Sequence, residues 1–261
     1  TENNIALGHK AGCTLGGGDR NVFIGCGAGQ KTTSGAYNVF FNQAGECNVG
    51  GGCNTFIGMR AGYKNTSGCH NHFIGYYAGC NNTTGCCNIS IGRCALGSSG
   101  TALTGNHNIA FGAFAGNALT SGEKNIFVGE YAGGGADLTG DNNIGLGLNS
   151  GRAITSGTNN TFIGKCAGCA LQTGMNNLYI GLQAGACSDN NYGNTAVGGR
   201  RTHYLHTTGN YNSMFGSDAG RNHISGSYNI GIGAKVDLPS TTGSDQLAIG
   251  CQNSYWIVGD S

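Results

Sequence analysis

The chain has 261 residues, of which 52 are Gly, one is Pro and 13 are Cys, and only 10% are charged. Gly is far above its usual share of about 7%, yet the lack of proline and of a three-residue period excludes collagen. A formal net charge of +1 leaves no electrostatic footprint for nucleic acid or an anionic membrane surface, and there is no apolar run of about 20 residues to span a bilayer.

The first predicted element sets the pattern for all that follow. Asn4 precedes the apolar triplet Ile5-Ala6-Leu7, and Gly8 closes it. The same order returns at Asn21, Asn38, Asn54, Asn71, Asn88, Asn108, Asn125, Asn143, Asn160, Asn177, Asn194, Asn212 and Asn229, and at Gln246, with Asn42 in place of the closing Gly once, and with spacings of 16 to 20 residues that are mostly 17. Internal self-similarity of this kind decides the architecture before any motif does. The repeats fill the chain without a linker, so residues 1–261 are read as a single repeat domain. It starts and stops inside the pattern, as an excerpt of a longer chain would.

Within each repeat the triplet alternates. Apolar residues recur one and three positions after the anchor (Val22 and Ile24, Ile89 and Ile91, Ile126 and Val128), and a period of two predicts a short strand with one buried face. The expectation is that these two positions face the core. The middle position, which holds Phe23, Phe40, Phe56, Phe73, Phe127, Phe162 and Tyr179, would then face outwards. An aromatic stripe of that length is not left in water, so association of several copies around an axis, as a homotrimer, is expected to cover it.

An Ala-Gly turn follows the triplet. A weaker apolar row comes late in the repeat, at Leu15, Val49, Leu103, Leu119, Leu138, Ile154, Leu171 and Leu205, before a Thr-Ser/Thr-Gly turn. The reading is an all-β, parallel β-solenoid, a two-sided β-roll of about fifteen 17-residue coils, in which stacking buries what no single repeat can bury alone. Propeller blades need about 40 residues each and do not fit. The anchor asparagines are expected to form a ladder along the stack.

The unit opening N-T-F-I-G-x-x-A-G, at 54–68 and 160–174, resembles repeats of long bacteriophage tail-fibre proteins. The ending "DQLAIGCQNSYWIVGDS" (245–261) resembles a segment near the end of such fibres. More distantly, the short strands are similar to the head β-rolls of trimeric autotransporter adhesins. The resemblance implies an elongated homotrimer in a virion or on a cell surface, a spacer that holds a receptor-binding tip, with host glycans as its candidate contacts. The alternative is a bacterial or algal matrix fibril that polymerises end to end.

Several short motifs invite a chemical reading. Cys166 and Cys169 have the C-x-x-C spacing, but a zinc site needs four converging ligands and no second pair exists. Cys69 and Cys86 fall at the same place in successive repeats, which makes them a candidate disulfide across coils. His70 and His72 form H-x-H, with His72 expected to point inwards. The segment 200–206 departs from the repeat, and Arg200, Arg201, His203, Tyr204 and His206 are the candidate surface recognition residues. The 20-residue repeat, with "RCALGSSGTALTG" at 93–105, is the best candidate for a protrusion. Nothing in the sequence assembles a catalytic constellation, a phosphate cradle or a periodic calcium site. The expectation is therefore a non-enzymatic protein without cofactors, with no nucleic-acid or membrane partner, whose partners are copies of itself and a host receptor.

Overall fold

A computed structural model describes residues 2–97, 100–135, 137–252 and 254–259. The chain is an all-β solenoid to which each of the fifteen repeats contributes one strand. It divides into two compact units, Thr1–Thr139 and Gly140–Ser261. In the first unit lie β1 (Ile5–Leu7), β2 (Val22–Ile24), β3 (Val39–Phe41), β4 (Thr55–Ile57), β5 (His72–Ile74), β6 (Ile89–Ile91), β7 (Ile109–Phe111) and β8 (Ile126–Val128). In the second lie β9 (Ile144–Leu146), β10 (Thr161–Ile163), β11 (Leu178–Leu182), β12 (Thr195–Arg200), β13 (Ser213–Phe215), β14 (Ile230–Ile232), β15 (Leu247–Cys251) and β16 (Ser254–Gly259). Within each unit successive strands pair in parallel with equivalent residues in register, as Phe40 with Phe56 and Phe162 with Tyr179. Only β16 runs antiparallel, against β15.

The anchor asparagines hold this register. The backbone N–H of each donates to the side-chain oxygen of the anchor one coil earlier: Asn21 to Asn4 at 2.8 Å, Asn71 to Asn54 at 2.9 Å, Asn88 to Asn71 at 2.9 Å and Asn194 to Asn177 at 3.0 Å. The same side chain's Nδ2 donates to a glycine carbonyl that closes its own coil, as Asn71 does to Gly85 at 2.8 Å. Every interior anchor is buried. A buried amide with donor and acceptor both used is stabilising, whereas an unpaired one costs about 1–3 kcal/mol. Only an acceptor and a donor on one short side chain serve both bonds, which accounts for Asn at fourteen anchors.

The core lies on the opposite face of the strands from the one the alternation predicts. The middle residues Phe23, Phe40, Phe56, Phe73, Phe127, Phe162 and Tyr179 are completely buried inside their own coils. From Phe23 to Phe73 the rings stack with centroids 5.1, 4.8 and 4.9 Å apart, the spacing of hydrogen-bonded strands. The first and third triplet residues face outwards, and Ile24, Ile74, Ile91, Phe111 and Val128 are more than a third exposed. His72 also faces out and is exposed, not inward as expected.

The Ala-Gly turn shows why the rings point in. A Cβ at Gly79 would stand 2.4 Å from Phe73 Cδ2, so the turn is narrow because the ring of its own coil fills the space behind it. Ala28, Ala44, Ala61 and Ala78 complete that wall and are fully buried.

The second strand of a two-sided roll is not formed. Outside the named strands, and among the described residues, β-bridges join only Asn82 to Leu103, Leu119 to Leu138 and Met175 to Tyr192. The late part of each repeat is a run of turns, stitched to the next coil by backbone bonds such as Thr66 N–H to Thr83 O at 2.9 Å. Its inward position is mixed. Leu103, Leu119, Leu138, Ile154 and Leu171 are buried there, while Val49 and Leu205 lie one residue beside it and are exposed. Asn48, Asn65 and Asn82 form a second buried ladder in this part of the coil, with Asn65 Nδ2 donating to Asn48 Oδ1 at 2.7 Å and Asn82 Nδ2 to Asn65 Oδ1 at 2.6 Å. It stops at Asn82 Oδ1, which has no donor, because the next coil presents Leu103.

Candidate functional site

The outer strand face is the first surface that the fold presents. In the first unit the two outward rows hold Ile5, Leu7, Val22, Ile24, Val39, Phe41, Ile57, Ile74, Ile89, Ile91, Ile109, Phe111, Ile126 and Val128, interrupted only by Thr55 and His72. Eight strands at about 4.8 Å spacing make this a flat apolar strip. Contiguous exposed apolar surface of a few hundred Å² marks an interaction site in soluble proteins. The association expected from the aromatic stripe therefore loses its first basis, since that stripe is internal, and gains another in the Ile and Val rows.

Beside the strip the turns carry cations over rings. Arg20 lies 5.2 Å from the Tyr37 centroid, Arg60 lies 5.2 Å from Tyr63 and 5.4 Å from Tyr77, and Arg93 lies 4.6 Å from Phe114. Each links one coil to the next or closes one coil. Arg20 and Arg60 also donate to the hydroxyls of Tyr37 and Tyr77.

The segment 200–206 does not form the exposed recognition loop expected of it. Arg200 is exposed, and Arg201 and Tyr204 are half-buried, with the guanidinium 5.6 Å from the ring. His203 and His206 are wholly buried, which removes them from any surface. The reason is local. His203 occupies the glycine place of its turn: its N–H donates to Ala219 O at 2.9 Å just as Gly79 N–H donates to Ala95 O, and its φ is 54°. A side chain fits there because the middle residue of this triplet is Ala196, not Phe. The imidazole fills the ring's space from the other side. The same exchange occurs once more, where Ser90 replaces the ring and Leu96, at φ 45° and fully buried, fills the gap from the glycine place. The expected protrusion at 93–105 thus includes a core residue. Its Ser98 and Ser99 lie outside the described residues.

His203, His206 and His223 come together in the second unit, with one ring nitrogen from each within 4.8 Å of the others. His203 Nε2 is 3.2 Å from His223 Nδ1, and the two ring planes are nearly parallel, at 10°, with centroids 5.4 Å apart. His206 stacks on His203 at 3.9 Å. The tautomers follow from the donors around them. Asn212 Nδ2 spends its hydrogens on Asn194 Oδ1 (3.0 Å) and Gly226 O (2.9 Å), so His206 Nε2, 3.4 Å away, accepts none and carries its own hydrogen. Asn229 Nδ2 does the same with Asn212 Oδ1 and Gly243 O, so His223 Nε2 also carries the hydrogen. His206 Nδ1 accepts from Asn191 Nδ2 at 3.0 Å, and His223 Nδ1 accepts from His203 Nε2. That leaves His203 Nδ1 buried without a partner. Burial, and then the neighbouring imidazoles, hold His203 well below the ordinary imidazole range and push His206 down to about 3, while burial lowers His223. All three are neutral at pH 7. Sequence reasoning paired His203 with His206, and the missing signal was Ala196 seventeen residues after an aromatic position.

The cysteines are free thiols. Cys69 and Cys86 stand in adjacent coils as expected, with Cys69 N–H directed to Cys86 Sγ at 3.1 Å and the two thiols in contact. Burial, then Cys166, raises the Cys169 pKa, and burial pushes Cys80 up to about 11. A raised pKa keeps the Cys169 and Cys80 thiols protonated at neutral pH, which makes them weak nucleophiles.

No family model matches the chain, and neither a curated protein nor a solved structure does.

Proposed function

We propose that this chain is a non-enzymatic segment of a structural fibre of the phage tail-fibre or trimeric-adhesin type, built as a spacer between a particle or cell surface and a receptor-contacting tip. The observation that carries the reading is the pair of outward apolar rows on β1–β8. A solenoid with a filled core has no internal use for them, and burial against copies of the same face uses them at about 25 cal/mol per Å². Three copies around an axis, each presenting this strip, form the proposed fibre. Turn residues such as Tyr63, Tyr76, Tyr131, Tyr192, Tyr204 and Tyr211 supply rings for stacking on host glycans, in a virion or extracellular setting.

The test is the mass of the particle in solution and its cross-section by electron microscopy. Three chains side by side, dissociating when Ile24→Lys and Ile91→Lys are introduced together, is the expected result. Subunits joined end to end, with the double variant unchanged, would replace the spacer by the polymerising matrix fibril. Monodisperse single chains would overturn both.

A further inference from the structure

We propose that His203, His206 and His223 form an intrachain binding site for one late first-row divalent metal ion, of which zinc is the reference case. Three observations carry it. The nitrogens converge within 4.8 Å, and the 3.2 Å between His203 Nε2 and His223 Nδ1 is close to the roughly 3.3 Å that separates two ligands of a tetrahedral ion with bonds of about 2.0–2.1 Å. His206 Nε2 and His223 Nε2 face Asn212 Nδ2 and Asn229 Nδ2, whose hydrogens are used elsewhere, so each Nε2 carries the hydrogen and each Nδ1 offers its lone pair to the ion, that of His206 in exchange for the bond from Asn191. His203 Nδ1 is buried with no partner, so its lone pair is free to take the hydrogen that leaves Nε2 when the ion binds.

The donor set selects the class of ion. Three imidazoles without a carboxylate suit zinc, copper, nickel or cobalt, not magnesium or calcium. The fourth position is left for water. In the metal-free arrangement the hydrogen of His203 Nε2 stands where the ion would bridge to His223. When the ion binds, that hydrogen moves to His203 Nδ1 and the His203 ring turns off its stack with His206. The three imidazoles are neutral before and after, so the step releases no net proton at pH 7. The ion would tie the coil of β12 to that of β13 from within.

The experiment uses the full chain, stripped with a chelator and dialysed against zinc chloride. One zinc retained per chain is expected, with a first shell of nitrogen and oxygen by X-ray absorption, and cobalt in its place giving the visible bands of a tetrahedral site. His223→Leu should weaken retention by at least about 100-fold, beyond what loss of an outer-shell partner costs. Cys166→Ser with Cys169→Ser should leave it unchanged. If His223→Leu does not fold, the absorption spectrum of the unaltered chain decides. No retained zinc, equal retention by the His223→Leu chain, or sulfur in the first shell would overturn the proposal.

Discussion

Two stretches of this solenoid fill the same cross-section in opposite ways. From Phe23 to Phe73 each coil sends an aromatic ring inwards from its strand, and a glycine in the facing turn makes room for it. Around β12 the strand residue shrinks to Ala196 and His203 enters from the turn, while His206 and His223 fill the late inward row beside it and Met214 still fills β13. Both are fully buried. The first is apolar and indifferent to pH. The second is polar, hydrogen-bonded through Asn191 to His206 and between His203 and His223, and stable only while its imidazoles are neutral. The comparison teaches that backbone register here is independent of what fills the coil. The Asn ladder runs through both stretches unchanged, and the filler sets the chemistry.

Acid should separate the two regions most strongly. The folded-state pKa values of His203, His206 and His223 are depressed relative to an unfolded value near 6.5. Their contribution is therefore complete above about pH 6.5 and is lost as the pH falls towards the folded values, since the unfolded chain binds protons that the folded chain does not. For His206, which falls to about 3, roughly 1.4 kcal/mol per unit gives a loss on the order of 4–5 kcal/mol by pH 3. Denaturant midpoints measured between pH 7 and pH 3 should fall for the unaltered chain, and fall less for His206→Leu.

In the aromatic stretch, Phe56→Ala opens a cavity between two stacked rings and should cost about 3–5 kcal/mol, read from the same midpoints. Adding Gly62→Leu repeats the exchange that Ser90 and Leu96 make naturally. It should recover about half of that loss, the remainder going to a non-glycine residue at φ near 59°. No recovery would mean that the ring and turn positions are not interchangeable.

Smaller again is the ladder. Asn71→Ala leaves Asn88 N–H and Gly85 O without their partners and should cost about 2–4 kcal/mol, with protection lost first at amides of the neighbouring coils. The smallest effect is expected from Thr66→Val, which removes an exposed hydroxyl bond to Thr83 O worth about 0.5–1 kcal/mol.

The repeat, its strand and its anchor were legible because they recur: an Asn followed by a triplet and Gly leaves few alternatives once it appears thirteen times in fifteen repeats. The direction of the triplet was not. With three residues per strand and apolar side chains at all three, alternation cannot say which face is inside, and the rule that two apolar positions outweigh one pointed the wrong way. The deciding signal lay in the turn, where Ala61-Gly62 and Ala78-Gly79 are small because Phe56 and Phe73 press against them. The late apolar row misled for a related reason. Leu119 and Ile154 are core residues, but their neighbours form turns, so apolarity alone did not make a second strand. His203 and His206 were visible as a pair. Their burial was not, because that of His203 depends on the missing ring at Ala196 and His206 takes the inward place that Leu119 and Ile154 fill in other coils.

The most direct test is site-resolved hydrogen exchange of the full chain at pH 7 and near pH 4. Amides of Thr195–Arg200 and Ser213–Phe215 should lose protection at the lower pH while those of Thr55–Ile57 and His72–Ile74 keep theirs. Equal loss in both stretches, or earlier loss around the phenylalanine column, would contradict the account that one backbone register carries two chemically different cores.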